Sequence, residues 1–334
     1  MGRQPITIFT TAMVVLLCTT LNARTTFDPL SIGVGARALG MGKAYIAVAE
    51  DGDTIFNNPA GLGEIDSFQF TSMSGSILED LTYTVLGGIY PTGGKSAVGI
   101  GYVSASVAGI AMRDSAGNFL ANSDYSNSVF LFSFGRKLSE KFSLGANLKY
   151  FSQTGSAYNN GNGTGLNLDV GVLQSGLGWL SLGAVGQNLF SSGKISYKNG
   201  EEETFPLTLK VGAKMHILGQ QFTAAVFSPT KLNIVLDADV RLQGTKPTTI
   251  HAGAEFSPSP LLALRAGVDQ SPLPGGIQNN LTSGISLKLA GIGFHYAYHT
   301  YTEISANSTH YFSLSFDDRG WPIEGPPEII LGMN

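Results

Sequence analysis

The chain has 334 residues, of which 13% are charged and 43% hydrophobic, and 43 residues are glycine. Ordinary soluble domains carry about 25% charged residues, so a surface exposed to water on every side is not expected. The formal net charge of −4 is too small to indicate a nucleic-acid partner.

The first 23 residues have the pattern of a secretory signal peptide. Arg3 supplies a positive charge, residues 6–17 are apolar and uncharged, and Ala23 offers a small residue for cleavage. The apolar stretch is too short to cross a membrane as a helix. The single cysteine, Cys18, follows Leu17 rather than the small residue of lipoprotein signals, so we expect it to leave with the signal peptide.

Residues 24–66 form a second segment, in which small residues dominate and no alternation is visible. A short helix is predicted over residues 38–49, followed by a turn-rich stretch that ends at Pro59. Pro59 fixes its own φ and keeps Asn58 out of the helical region, which predicts a rigid turn. Such a compact segment is suited to fill the lumen of a barrel, and we call it the hatch. Its candidate functional residues are Arg37, Asn57, Asn58, Pro59, Ala60 and Gly61.

Residues 67–317 carry the period-two alternation of β-strands. Over residues 231–242 the even positions are apolar, whereas the odd positions include Asp237, Asp239 and Arg241, with Val235 as the exception. The same alternation recurs over residues 142–150, 166–172 and 262–269. Since no later apolar run approaches the roughly 20 residues of a membrane helix, only a closed barrel could satisfy the backbone in lipid. We therefore predict an all-β protein, a transmembrane antiparallel β-barrel of about 14 strands.

The strands are predicted at residues 67–75, 80–90, 95–105, 125–136, 141–152, 164–174, 178–189, 205–217, 231–242, 248–257, 261–269, 281–289, 291–301 and 308–317. Short turns alternate with longer polar loops, which are expected at residues 106–124, 153–163, 190–204 and 270–280. This alternation places both termini in the periplasm. The connection at residues 218–230 contains a strand-like stretch and leaves the strand number open there. Residues 318–334 form a periplasmic tail, either disordered or a short docking peptide.

The hatch segment also carries a family resemblance. Residues 35–42 (Gly-Ala-Arg-Ala-Leu-Gly-Met-Gly), residues 44–51 (Ala-Tyr-Ile-Ala-Val-Ala-Glu-Asp) and the Asn-Pro-Ala-Gly-Leu element at residues 58–62 resemble the start of PorV/PorQ-type outer-membrane proteins. These belong to the wider FadL-like barrel superfamily. The resemblance implies a fourteen-stranded barrel with the Asn-Pro-Ala element in an N-terminal hatch. Two departures are Lys43, where glycine is common, and the tail beyond the last strand.

Charged residues on the predicted inner face are the other candidate site. They are Asp169, Asp237, Asp239, Arg241, Glu255, Arg265 and Lys288. They can either neutralise one another and hold the hatch, which we favour, or form a binding or conduction surface. His295 and His299 share a face, but four strand residues separate them by roughly 13 Å, too far for one metal ion. No metal site, cofactor or catalytic grouping is predicted, and we expect no enzymatic activity.

Two functions follow from the resemblance, both in the cell outer membrane. The first is a PorV/PorQ-type structural or secretion-partner role, in which the partners are cargo proteins and the type IX secretion machinery. The alternative is a FadL-like passive transporter, in which the partner is a hydrophobic small molecule. In either case membrane lipid surrounds the barrel. The opening motif favours the first.

Overall fold

The computed structural model describes residues 26–77, 80–155, 162–190, 193–219, 230–242, 247–273, 276–301 and 308–319. The expected signal peptide, residues 220–229 of the ambiguous connection and tail residues 320–334 lie outside these ranges. The strands are β1 (Gln69–Ile77), β2 (Leu81–Gly93), β3 (Ser96–Arg113), β4 (Phe119–Ser139), β5 (Phe142–Gly155), β6 (Gly163–Gln174), β7 (Leu180–Gln187), β8 (Lys194–Tyr197), β9 (Glu202–Thr204), β10 (Thr208–Leu218), β11 (Lys231–Arg241), β12 (Thr249–Ser259), β13 (Leu262–Leu273), β14 (Gly276–Leu289), β15 (Ile292–Thr300) and β16 (Ser308–Asp317).

Fourteen of these strands, β1–β7 and β10–β16, form one closed antiparallel barrel. Strand β1 pairs with both β2 and β16, and the pairs β5–β6 and β7–β10 complete the ring. Each of the fourteen strands is paired with two neighbours, which is what a structure surrounded by lipid requires. The predicted fold class is therefore confirmed, and each of the fourteen predicted strands is present.

The two ends of the barrel differ in their connections. At the end where β1 begins and β16 finishes, short turns join β2 to β3, β4 to β5, β6 to β7, β12 to β13 and β14 to β15, so we call it the turn end. The amide of Asp318 donates to the carbonyl of Phe68 there, at 3.1 Å. The β14–β15 turn uses positive φ at both Ala290 and Gly291, as two-residue hairpins do. The opposite end is called the loop end.

Three expected loops at the loop end contain strands instead. The one expected at residues 270–280 is a hairpin, since β13 runs to Leu273 and β14 begins at Gly276. Residues 106–124 were expected as a loop, but β3 continues to Arg113 and β4 begins at Phe119. A bulge between Val107 and Ile110, with Gly109 at φ +70°, resets the register and lets the ladder continue. The expected loop at residues 190–204 contains the β8–β9 hairpin, which pairs with the loop end of β6. Hydrophobic alternation did not reveal these pairs because most of their residues are at least partly exposed on both faces, with Ile195 as a buried exception.

The outer face of the barrel is apolar and the inner face is polar or small. On β11, Leu236 is 43% exposed on the outside, whereas Asp237 is 4% exposed on the inside. Val235, the exception in the alternation, points inward and packs with Met41 and Tyr45 of the hatch. Its apolar side chain therefore matches a contact within the protein rather than lipid. Among the described residues, no helix is both long and apolar enough to cross a membrane.

Residues 26–66 precede the barrel and contain only short helical elements. They are the 3₁₀ turns Pro29–Ile32 and Pro59–Glu64 and the helical turns Ala36–Leu39 and Thr54–Asn57. The expected helix over residues 38–49 is absent, because Gly42 at φ +66° and Lys43 at φ +68° end it early. Nearly every residue from Val34 to Gly63 is buried.

Candidate functional site

Glycines on the inner wall receive the backbone of the hatch. A Cβ on Gly171 would lie 2.2 Å from Oδ1 of Asn58, and one on Gly145 would lie 2.2 Å from the carbonyl oxygen of Pro59. A Cβ on Gly183, Gly253 or Gly267 would likewise lie 2.3–2.4 Å from a backbone atom of the hatch. These glycines lie on β5, β6, β7, β12 and β13, so the hatch touches widely separated parts of the ring. Side chains at these positions would exclude it.

The Asn-Pro-Ala turn is fixed by backbone contacts. The side-chain Nδ2 of Asn58 donates to the backbone carbonyl of Ile46 at 2.8 Å and to that of Val172 on β6 at 3.1 Å. Its Oδ1 accepts from the amide of Ala60 at 3.1 Å, which caps the turn that starts at Pro59. The wall partner is thus a carbonyl, not the charged lumen residue that the sequence had suggested.

The remaining motif residues stabilise the same turn from within the hatch. The side chain of Asn57 donates to the carbonyls of Asp53 and Val34, at 2.9 and 3.2 Å. Ala60 is fully buried, and a Cβ on Gly61 would meet Oγ1 of Thr54 at 2.1 Å. Neither Asn57 nor Gly61 contacts the wall by these interactions.

Arg37 joins the hatch to the wall through a cluster of carboxylates. Its guanidinium forms a bidentate pair with Glu255 on β12, at 2.7 and 2.8 Å. It also donates to Glu50 and Asp51 of the hatch, each at 2.8 Å. Arg265 on β13 donates to the same Glu255 at 2.6 Å. A fork that binds one carboxylate through two parallel bonds sets orientation as well as affinity, so Arg37 positions the first half of the hatch.

Asp237 is a second anchor on the wall. Its Oδ2 accepts from the backbone amides of Tyr45 and Ile46, at 2.6 and 2.9 Å. Sequence reasoning placed Asp237 on the inner face but could not identify backbone amides as its partners. It missed Ser313 and Thr282, which accept from the amides of Ala36 and Gly42 at 3.0 Å each. Serine and threonine at inner positions are too common to single out in a sequence.

Three of the other inner-face candidates, Asp169, Asp239 and Arg241, lie apart from the Arg37 cluster. Asp169 is paired with the fully buried Lys149 at 2.7 Å, nearer the loop end, and Asp239 with Lys210 at 2.7 Å. Arg241 and Lys288 are half-buried on the inner face, and Lys288 interacts electrostatically with Arg37, Glu255 and Arg265. The structure therefore brings Arg37, Glu255, Arg265 and Lys288 together and distributes the remaining charges around the ring. Within the described residues, no group of three or more His, Cys, Asp or Glu side chains is placed to hold a metal ion.

Asp53 of the hatch carries a perturbed carboxyl group. Burial, with a smaller contribution from neighbouring Asp51, raises the pKa of Asp53 to about 7. The hydroxyl of Thr71 on β1 donates to its Oδ1 at 2.7 Å and partly offsets that effect. The hatch therefore contains a carboxyl that is only partly ionised near neutral pH.

One side of the lumen is apolar. Buried hydrophobic side chains of β1–β5 form a continuous cluster on the inner face, which we call the apolar wall. Its members include Met73, Tyr83, Val85, Val103, Val129 and Phe151. Phe205, which precedes β10, stacks on Phe151 with ring centroids 4.0 Å apart. The hatch covers this wall with apolar side chains that include Ile55 and Phe56. The charged anchors lie on the other side, mainly on β10–β14.

Known proteins resemble this chain in fold but not in sequence. No family model matches the chain, and no curated protein matches it by sequence. Solved structures match it closely in shape. The CymD monoaromatic hydrocarbon channel is 14% identical, with a TM-score of 0.57 over 87% of this chain and 98% of that one.

Two further solved structures have a similar fold. The Ralstonia pickettii toluene transporter TbuX is 14% identical, with a TM-score of 0.54 over 89% of this chain and 99% of that one. A Pseudomonas aeruginosa FadL homologue is 13% identical, with a TM-score of 0.52 over 90% and 99%. At such identities the likeness establishes the fold alone. The chain therefore has the FadL-like barrel fold, which these neighbours share over nearly their whole length.

Proposed function

We propose that this barrel lies in the outer membrane and passes hydrophobic small molecules by passive transport, with the hatch as its closure. The observation that carries the proposal is the apolar wall, which lines β1–β5 on the inner face. A water-filled porin has a polar interior, whereas ligand sites for apolar molecules are lined mainly by hydrophobic and aromatic side chains. Tyr83, Val85 and Phe151 supply such a lining once Ile55 and Phe56 of the hatch move away.

The solved structures of the same fold support this choice of substrate class. They include a monoaromatic hydrocarbon channel and a toluene transporter. The arrangement of the hatch supports passive gating. The hatch contacts the wall through hydrogen bonds and ion pairs. Because the strands of the ring pair with one another, the hatch can leave the wall while the ring stays closed.

The test is uptake of a named apolar probe. The protein is expressed in a Gram-negative host that lacks its own channel for hydrophobic compounds, and entry of radiolabelled toluene is compared with entry of radiolabelled sucrose. We expect faster uptake of toluene and unchanged uptake of sucrose. Replacing Val85 and Val129 of the apolar wall by threonine, which keeps their shape, should reduce toluene uptake. Equal entry of both probes would indicate an aqueous pore, and entry of neither would contradict transport.

A secretion-partner role of the PorV/PorQ type is the second candidate. The specific observation for it is the opening motif of residues 35–42 with the Asn-Pro-Ala element at residues 58–60. The same motif residues serve to seat the hatch in this chain, as Arg37 and Asn58 do, so the motif is also explained without cargo. Co-purification of exported proteins with the barrel, together with absence of toluene uptake, would favour this second role.

A further inference from the structure

A buried cluster next to Lys43 joins the hatch to the wall at a point separate from Arg37. Lys43 Nζ lies 2.9 Å from Oδ2 of Asp269 on β13. His299 on β15 lies 2.8 Å from the same oxygen, and His251 on β12 lies 2.9 Å from Oδ1. The side chains of Asp269 and His299 are fully buried. One wall carboxylate is thus shared by a hatch lysine and two wall histidines.

The charges around this cluster balance only while the histidines are neutral. A second carboxylate, Asp239, lies 3.8 Å from Nε2 of His251 and 2.7 Å from Lys210. Two lysines therefore face two aspartates. The other ionisable groups near the cluster are Asp237 and Arg241 on β11, together with Tyr301 and Tyr311. Protonating both histidines would add two positive charges to a buried region in which Lys43 and Lys210 already balance Asp269 and Asp239.

The hatch is under strain where Lys43 is attached. Lys43 adopts φ +68°, a left-handed conformation that side chains other than glycine disfavour. Its neighbour Gly42 is pressed against the wall, since a Cβ on Gly267 would lie 2.4 Å from the Gly42 nitrogen. The backbone amide of Lys43 donates to the carbonyl of Ala38 at 2.9 Å, and the pair with Asp269 is what ties its side chain to the wall. Loss of that ion pair frees the Lys43 side chain from β13.

We propose that Lys43, Asp269, His251 and His299 form an acid-sensitive latch that holds the hatch on the wall at neutral pH and releases it in acid. Histidine is the side chain whose charge ordinarily changes between pH 5 and 8. The aspartate and histidines are fixed in paired strands, so when the histidines become charged, Lys43 is the cation that is free to leave. The latch rests on the proposed function in one respect, because release affects passage only if the barrel conducts.

The experiment measures attachment of the hatch directly, without transport. Hydrogen–deuterium exchange of the peptide 36–49 is followed by mass spectrometry in the full-length, membrane-reconstituted protein at pH 7.5 and pH 5. Rates are corrected for the intrinsic pH dependence of exchange. We expect the corrected rate to rise at least tenfold in acid, the factor that one pH unit of linked protonation supplies. In H251Q/H299Q, which retains side chains that can hydrogen-bond to Asp269, we expect no acid-induced rise.

Two further variants keep the result interpretable. His310→Gln removes an exposed histidine on β16 that contacts Tyr296 on β15, away from the cluster. This variant should retain the acid response of the natural protein. Lys43→Gln should show fast exchange at both pH values. An unchanged rate in the natural protein, or an acid response that survives in H251Q/H299Q, overturns the latch. Failure of toluene uptake with an intact acid response would contradict transport and leave the latch standing.

Discussion

Replacing Gly171 by alanine should loosen the hatch without disturbing the barrel. The new Cβ would lie 2.2 Å from Oδ1 of Asn58 and 3.0 Å from Cδ of Pro59. Carbon atoms in contact prefer about 3.5–4 Å, so the Asn58 amide must retreat by roughly 1 Å or more. A retreat of that size breaks its 3.1 Å hydrogen bond to the carbonyl of Val172. The hatch therefore loses its attachment to β6.

The magnitude follows from two contributions. Overpacking typically costs about 1–3 kcal/mol, and the lost hydrogen bond adds about 0.5–1.5 kcal/mol. Docking of the turn should therefore weaken by about 2–4 kcal/mol, which raises the undocked fraction roughly 30- to 1000-fold. The strand itself tolerates alanine, because position 171 lies on the inner face and its backbone pairing with Gly145 and Val185 does not involve a side chain.

Single-channel recording in planar bilayers detects the change. The natural protein should be closed for most of the time, and Gly171→Ala should open frequently. Gly88→Ala is the matched control, since a Cβ there has no neighbour within 4 Å, and it should behave like the natural protein. Both variants should migrate faster on SDS gels before boiling than after, as assembled barrels do. Identical recordings from the two alanine variants would refute the assignment of Gly171 as a seat for the hatch.

Three other substitutions test separate parts of the structure. Leu236→Arg, on the outer face, should cost about 2–4 kcal/mol if it lies near the bilayer midplane and should lower the heat-modifiable fraction; normal assembly would show that the face is misassigned. Arg37→Leu leaves Glu255 with Arg265 alone and removes the guanidinium partner of Asp51, so it should weaken docking by about 2–5 kcal/mol, seen as protease cleavage within residues 36–64; resistance equal to that of the natural protein would exclude Arg37 as an anchor. Because burial raises the pKa of Asp53 to about 7, the protonated carboxyl stabilises the docked hatch. This stabilisation is complete below about pH 3.8 and is lost as the pH rises through about 7. Asp53→Asn should abolish this pH dependence in the hydrogen–deuterium exchange of residues 52–58. A pH dependence that persists in the variant would show that Asp53 is not its cause.

The Asp53 effect has the opposite sign to the acid release proposed at Lys43. Protonation of Asp53 favours a docked turn, whereas the proposed protonation of His251 and His299 disfavours the ion pair between Lys43 and Asp269. The two effects act on different peptides, residues 52–58 and residues 36–49. Exchange must therefore be followed for each peptide separately, and opposite pH trends in the two are expected.

The barrel could be predicted from sequence because its strands face two different environments. Leu236 outside and Asp237 inside follow directly from the period of two, and the structure places them so. The alternation fails where both faces are apolar or both are solvated. On β2, Val85 faces the lumen and Leu86 faces outward, and a sequence cannot show which apolar neighbour lines an interior. The apolar wall was invisible for that reason.

The contacts of the hatch depended on distances that sequence does not contain. The composition of residues 24–66 indicated a packed insert, and the charged inner residues were expected to hold it. The structure describes one such cluster at Arg37, but it also assigns anchoring to the carbonyl of Val172 and to Asp269. Sequence reasoning assigned His299 no partner beyond excluding a metal shared with His295, yet its side chain is fully buried against Asp269. Partners from strands far apart in sequence meet only after the ring has closed.

The central claim is that an apolar molecule passes through this barrel when the hatch leaves the wall. A disulfide between Ala36→Cys and Ser313→Cys tests it, since the Ala36 amide lies 3.0 Å from the Ser313 hydroxyl and the only cysteine of the sequence, Cys18, falls in the expected signal peptide. Toluene uptake by cells carrying this variant is measured under oxidising conditions and again after reduction. We predict that uptake is blocked when the hatch is locked and returns on reduction. Equal uptake in the locked and reduced states would contradict the account.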